Sequence, residues 1–298
     1  MAILIDKSTK VLIQGITGTE GARSAELMVQ YGTKVPAGVT PGKGGQQVHG
    51  IPVYNSVKEA REKHDINASF VVVPPLFAKS AVFEALDNEI KLVLLFTENL
   101  PLHDAAAMIA KAREKNAVLI GPASVGMISP GLSSIGPIGG MPDMVERIYK
   151  KGSVGIISKS GGMTNETAWV IRQAGLGQST VIGTGGELLI GSTYSDLLRL
   201  FEKDEETKAV VAFGELGGTY EDQIAEVLKN KEFTKPIAVF IGGKFAEKLP
   251  SGIQFGHAGA IIERGSGRPS EKIEKLRKAG ALIAEYHHEI GNVIRDAL

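Results

Sequence analysis

The sequence predicts an α/β fold made of two doubly wound parallel-sheet domains. Three observations carry this expectation. Short apolar runs alternate with stretches of helical period, glycines gather where the runs end, and the alternation lapses near mid-chain before resuming. A chain of 298 residues has room for two domains of ordinary size.

The first run is "VLIQ" (11–14). It leads into "EGARSAELMVQYG", where Ala22, Ala25, Met28 and Val29 share one helical face and Gly32 supplies the stop. Further strands are expected at "VPAGV" (35–39), "SFVVV" (69–73), "LVLLF" (92–96) and "AVLIG" (117–121). From Pro122 to Gly152 the chain is rich in Gly, Pro and Ser and reads as connector and loop. The second series is "VGIIS" (154–158), "TVIG" (180–183), "AVVAFG" (209–214), "IAVFIG" (237–242) and "ALIAE" (281–285). Its first helix places Met163, Thr167, Val170, Ile171 and Ala174 on one face, with Gly175 as its end. The expected division is 1–122, a connector over 123–152, and 153–298.

Composition removes several classes of function. Thirty-three basic residues balance thirty-three acidic ones, so charge argues for neither nucleic acid nor an anionic membrane surface. With no cysteine there is no disulfide, thiolate metal site or cysteine nucleophile. "MAILIDKSTK" meets Asp6 and Lys7 too early for a secretory apolar core, and no run approaches a membrane span. A soluble, cytoplasmic protein is expected.

Ligands of open α/β sheets bind outside the carboxyl ends of the strands. "QGITGTEG" sets Gly15, Gly18 and Gly21 at such an end, where a backbone can approach a phosphate and a helix start offers free N–H groups. The spacing is not G-x-G-x-x-G, and a plain strand-to-helix turn is the alternative. The second strand ends in "GVTPGKGG" without the carboxylate that NAD requires. Lys43 between glycines suits a phosphorylated ribose, as in coenzyme A or NADP. The glycine spacing there also fails a P-loop. "IISKSGGMTNE" offers Ser158, Ser160, Gly161 and Gly162 as an anion cradle, the alternative being a simple helix cap by Ser160. "VIGTGGELLIG" and "VAFGELGG" end two more strands in glycines at the same expected edge.

His257 stands in "GIQFGHAGAII", unshielded by any bulky neighbour in sequence. An incidental loop histidine is one reading. A metal site lacks further ligands, and "SKSGG" lacks the first glycine of a serine-hydrolase elbow. A nucleophilic histidine that accepts and passes on a phosphoryl group remains, with Glu215 the carboxylate best placed by topology. His287 and His288 read as solvated residues of a polar terminal helix.

"VLIQGITGTEG", "AGVTPGKGG", "FTE" (96–98), "ISKSGGMTNE", "FGELGG" and "GHAGAII", in this order, resemble the alpha subunit of succinate–CoA ligase and the related region of ATP-citrate lyase. The resemblance runs from about residue 3 to the C-terminus. It implies a Rossmann-like coenzyme A-binding domain followed by a flavodoxin-like domain carrying a phosphohistidine. It implies His257 as the phosphorylated nucleophile and Glu215 as its orienting carboxylate. Thr17, Gly18, Thr19, Glu20, Lys43, Phe96, Thr97 and Glu98 are then the coenzyme A site. Ser160, Gly161, Gly162 and Asn165 serve phosphate and substrate, and no resident metal is expected. ATP or GTP with magnesium would be held mainly by a beta-type ATP-grasp partner, which explains why this chain lacks a nucleotide site of its own. Asn165 stands where succinate–CoA ligases usually carry Tyr, and "GPASVG" where they read G-P-N-C-P-G. These local matches resemble the citrate enzymes and place citrate slightly ahead of succinate as the acid. A non-catalytic coenzyme A-binding module is the alternative from another class.

Overall fold

The computed structural model describes residues 2–250, 252–262 and 267–298. The first half runs β1 (Lys10–Gln14), α1 (Thr19–Tyr31), β2 (Lys34–Val39), β3 (Gln47–Val48), β4 (Ile51–Tyr54), α2 (Val57–Lys63), β5 (Ala68–Val71), α3 (Pro75–Asp87), β6 (Leu92–Leu95), α4 (Leu102–Glu114) and β7 (Val118–Ile120). Its sheet order is β3-β4-β2-β1-β5-β6-β7. All pairings are parallel except the short β3–β4 ribbon. Without β3 this is the 3-2-1-4-5-6 order of a Rossmann sheet, whose direction reverses between β1 and β5. Val11, Leu12 and Ile13 are all fully buried because helices cover both faces of the sheet.

The second half runs β8 (Met127–Ser129), β9 (Ser133–Ile135), α5 (Pro142–Ile148), β10 (Lys151–Ser158), α6 (Gly161–Gln173), β11 (Gln178–Gly183), α7 (Tyr194–Lys203), β12 (Ala209–Glu215), α8 (Asp222–Lys229), β13 (Ile237–Gly242), α9 (Pro269–Lys278), β14 (Leu282–Ile283) and α10 (Ile290–Arg295). The order β14-β13-β12-β10-β11-β8-β9 contains the flavodoxin-like sequence 2-1-3-4-5 over β11-β10-β12-β13-β14. The first carboxyl-end crevice therefore lies beside β10.

Several expectations need correction. The stretch read as connector and loop contains the antiparallel hairpin β8–β9, which pairs with β11 and closes one edge of the second sheet. Strands of three residues, rich in serine, are too short to display a period. The hairpin is also docked on the first domain. Thr33 donates to the Ser134 carbonyl at 2.8 Å and accepts from its amide at 2.9 Å, and the Tyr31 hydroxyl accepts from Gly131 at 2.9 Å. On α1 the buried face is Gly21, Ser24, Ala25 and Met28, leaving Val29 exposed. Gly32 does end α1, in a left-handed conformation (φ 95°) that lets its amide reach the Met28 and Val29 carbonyls. On α6 the buried residues are Thr164, Thr167, Ala168 and Ile171, one step round from the expected face. "SFVVV" leaves the sheet at Val71, because Val72 and Val73 lead into the prolines that start α3.

His287 is not solvated. Its ring packs against Phe213 and Phe240 and its Nε2 lies 3.0 Å from the Thr167 hydroxyl, and burial holds its pKa below the ordinary imidazole value. His288 is exposed. Among the described residues no helix is long and apolar enough to cross a membrane.

Candidate active site

β10, β11 and β12 end side by side, and the loops they release build the site. β12 stops at Glu215. The His257 loop lies over this edge, tied down by Gly259 N–H to the Gly186 carbonyl at 3.2 Å and by the Gln254–Ile261 bridge. His257 Nδ1 is 2.8 Å from Glu215 Oε2, with the side chains 36% and 12% exposed. A carboxylate at Nδ1 fixes the tautomer with the lone pair on Nε2, the nitrogen left for chemistry. Gly186 explains why no side chain crowds the ring. A Cβ there would meet His257 Cγ at 2.5 Å, so the imidazole rests on bare main chain.

Beneath this pair lie buried charges. Lys159, 1% exposed, sits 3.4 Å from Glu215 Oε1 and 3.7 Å from Glu221 Oε1. Lys272 donates to Glu221 Oε2 at 2.6 Å, to the Glu215 carbonyl at 2.8 Å and to the Gly217 carbonyl. Three acceptors match the three N–H bonds of an ammonium, which places Lys272 charged even though burial pulls its pKa down. Burial pushes Glu221 up, but Lys159 and Lys272 outweigh it and hold its carboxyl below the usual range. The hydrogen bond that the His257 Nδ1–H donates to Glu215 raises the pKa of His257 against the opposing effect of burial, with smaller contributions from Lys159 downward and Glu187 upward.

The imidazole opens on a cleft of about 750 Å³ walled by both domains. One wall is the β1–α1 loop (Gly18, Thr19, Glu20), the β5–α3 turn and the segment Phe96–Asn99; the other is Ser124, Lys159, Gly161, Gly186 and His257. α1 carries no side-chain cap at Gly18, so its first amides remain available to a ligand. Gly21 lets this loop close, since a Cβ there would fall 2.1 Å from the Gly15 carbonyl oxygen. Glu187 spans the domains, accepting from the Asn99 amide at 2.8 Å.

Not every expected residue reaches the cleft. His257 and Glu215 meet, and Gly18, Thr19, Glu20, Phe96, Thr97, Glu98 and Gly161 line the walls. Ser160 caps α6 through the Met163 amide, and Gly162 is exposed in the first turn. Thr17 is one residue short of the wall and bonds to Thr40. Lys43 is exposed on the loop after β2 and is not a wall residue. Asn165 also stays off the wall: one turn into α6, its carbonyl oxygen accepts from the buried Tyr149 hydroxyl at 2.6 Å and the Gly139 amide at 3.1 Å. Sequence reasoning missed Lys159, Glu187, Glu221 and Lys272. One signal existed: Lys272 shares the buried face of α9 with Pro269, Ile273 and Leu276, an odd place for an unpaired lysine.

Glu215→Gln keeps an acceptor beside Nδ1 but removes the charge. Because Glu215 raises the imidazole pKa, the His257 titration midpoint should move to lower pH in an NMR titration. Without the carboxylate that locks the tautomer, any step that uses the Nε2 lone pair should slow about 100-fold or more.

Two stretches of the chain match known families: residues 6–99 match the CoA binding domain and residues 157–282 the CoA-ligase family. The chain belongs to the family of alpha subunits of ADP-forming CoA ligases. It is 47% identical over 298 residues to succinate–CoA ligase [ADP-forming] subunit alpha 2 of Archaeoglobus fulgidus, covering 100% of both chains. It is 46% identical over 296 residues to an ADP-forming sulfoacetate-CoA ligase subunit of an Acholeplasma species, covering 99% of this chain and 98% of that one. The solved ATP citrate lyase of Methanothrix soehngenii, in complex with citrate and coenzyme A, superposes with a TM-score of 0.93 at 27% identity. That match covers 99% of this chain and 50% of the lyase chain, so the present chain spans half the length of that protein.

Proposed function

We propose that this chain is the alpha-type subunit of an ADP-forming acid–CoA ligase in which His257 carries the phosphoryl group. The observation that supports it most is the 2.8 Å His257–Glu215 pair facing a two-domain cleft at glycine-opened helix starts. His257 takes the γ-phosphoryl group on Nε2 as the nucleoside diphosphate leaves, then passes it to the acid's carboxylate and is regenerated as free imidazole. The Gly161 end of α6 and the Lys159 ammonium supply positive potential for the transferring phosphate. Coenzyme A, when bound, supplies the thiol that displaces phosphate from the acyl phosphate. Gly18, Thr19, Glu20 and Phe96–Glu98 would hold it. The cleft volume falls in the range of cofactor sites, and the glycines let main-chain amides approach a phosphate. Lys43, outside the cleft, suits the phosphorylated ribose, with Thr17 bracing the loop. A beta-type ATP-grasp partner would bring ATP or GTP with magnesium, since this chain shows no P-loop.

For the acid, the relatives named for succinate and for sulfoacetate are matched over nearly their full length at 46–47% identity, whereas the citrate-lyase structure is matched at 27%. Succinate and sulfoacetate both join a carboxylate to a second anionic group. We read the substrate as a small acid of that type, with citrate, favoured by the local motifs, as the second reading. With the partner and γ-labelled ATP, the chain should gain an acid-labile, base-stable label that is discharged by the correct acid plus coenzyme A. Comparing succinate, sulfoacetate and citrate in that discharge identifies the acid. Label confined to the partner would overturn the assignment.

A further inference from the structure

We propose that Lys159 is a positioning residue that occupies the second oxygen of Glu215, so that His257 keeps a neutral, nucleophilic imidazole. The inference rests on His257 acting as the phosphoryl carrier. The geometry gives Glu215 two cationic claimants. Its Oε2 holds His257 Nδ1 at 2.8 Å, while its Oε1 is buried, makes no hydrogen bond, and has the Lys159 ammonium 3.4 Å away.

A buried carboxylate without a counter-cation is costly. If Lys159 were absent, the nearest way to balance Glu215 would be a proton on His257, and an imidazolium has no lone pair to offer phosphorus. Among the described residues, the other ionisable groups around the ring leave this competition intact. Glu221, at the start of α8, is committed to Lys272 on α9 and to the Glu215 amide at 3.1 Å. Glu187, after β11, is turned to the Asn99 amide, and Glu20 and Glu98 stand on the opposite wall of the cleft. Lys159 and Lys272 against Glu215 and Glu221 make a buried set with no net charge, to which a neutral ring adds none.

The test uses the full chain with ¹³C-labelled histidine, reading the His257 ring directly by NMR against pH, with the resonance assigned through His257→Asn. No nucleotide or partner is needed, so the result is separate from whether the ring is ever phosphorylated. Lys159→Met should shift the His257 midpoint upward by about half a unit or more, roughly a threefold loss of neutral imidazole well below the midpoint. Lys159→Arg, which keeps the charge, should return it toward the wild-type value. If Lys159→Met fails to fold, Lys159→Gln removes the same single charge while keeping a polar group at the site, and the upward shift should appear there. An unchanged or lowered midpoint in the folded charge-removing variant overturns the proposal.

Discussion

His257→Asn should abolish the acid-labile phosphate label completely while leaving the fold intact. Asparagine can still donate an amide N–H toward Glu215, so the buried carboxylate keeps a partner. What disappears is the nitrogen lone pair, and among the described residues no neighbouring group replaces it: Lys159 is paired with two carboxylates, and Ser160 is the cap of α6. Acyl-CoA formation should fall to background with it, because in the proposed route the acid receives its phosphoryl group from His257. Equal circular dichroism and melting temperature in the two proteins would locate the loss in chemistry. Residual label at wild-type level would mean that phosphate resides elsewhere.

The second large effect is on stability. Lys272→Met replaces an ammonium with a side chain of similar length, yet Glu221 is fully buried and loses its 2.6 Å partner. Breaking a buried pair from one side costs about 3–5 kcal/mol, because the abandoned charge remains in a low-dielectric site. Spread over a chain of this size, that is a fall in melting temperature of roughly 5–8 °C by calorimetry. Glu221→Gln in the same background should recover most of it. The pH dependence has a definite sign. Glu221 is held below the ordinary carboxylate range, so its contribution is complete above the unfolded-state pKa and fades as pH falls through the folded one. The gap between wild type and variant should therefore narrow in acid.

The parallel cores of the two sheets were legible because buried strands such as "VLIQ" and "AVVAFG" are continuous apolar runs, punctuated by glycines at their carboxyl ends. The meeting of His257 with Glu215 was legible because Glu215 closes a recognisable strand and His257 stands in a glycine-flanked loop. The hairpin over 127–135 was not, since three-residue strands of Ser, Ile and Met have no measurable period. Nor were Lys159 and Glu221. A charge buried by its partners looks in sequence like any surface charge, and only the fold brings positions 159, 221 and 272 together.

Gly186 is a flat floor for the imidazole, and that flatness limits what mutation can do at one codon. Even alanine would put a methyl carbon 2.5 Å from the ring, so any substitution at 186 must displace either the imidazole or the main chain beneath it. Leu188, two residues on and exposed, is under no such restriction from the ring. Variation along this loop should therefore be abrupt: a single letter tolerated at one position, and a wide alphabet almost next door.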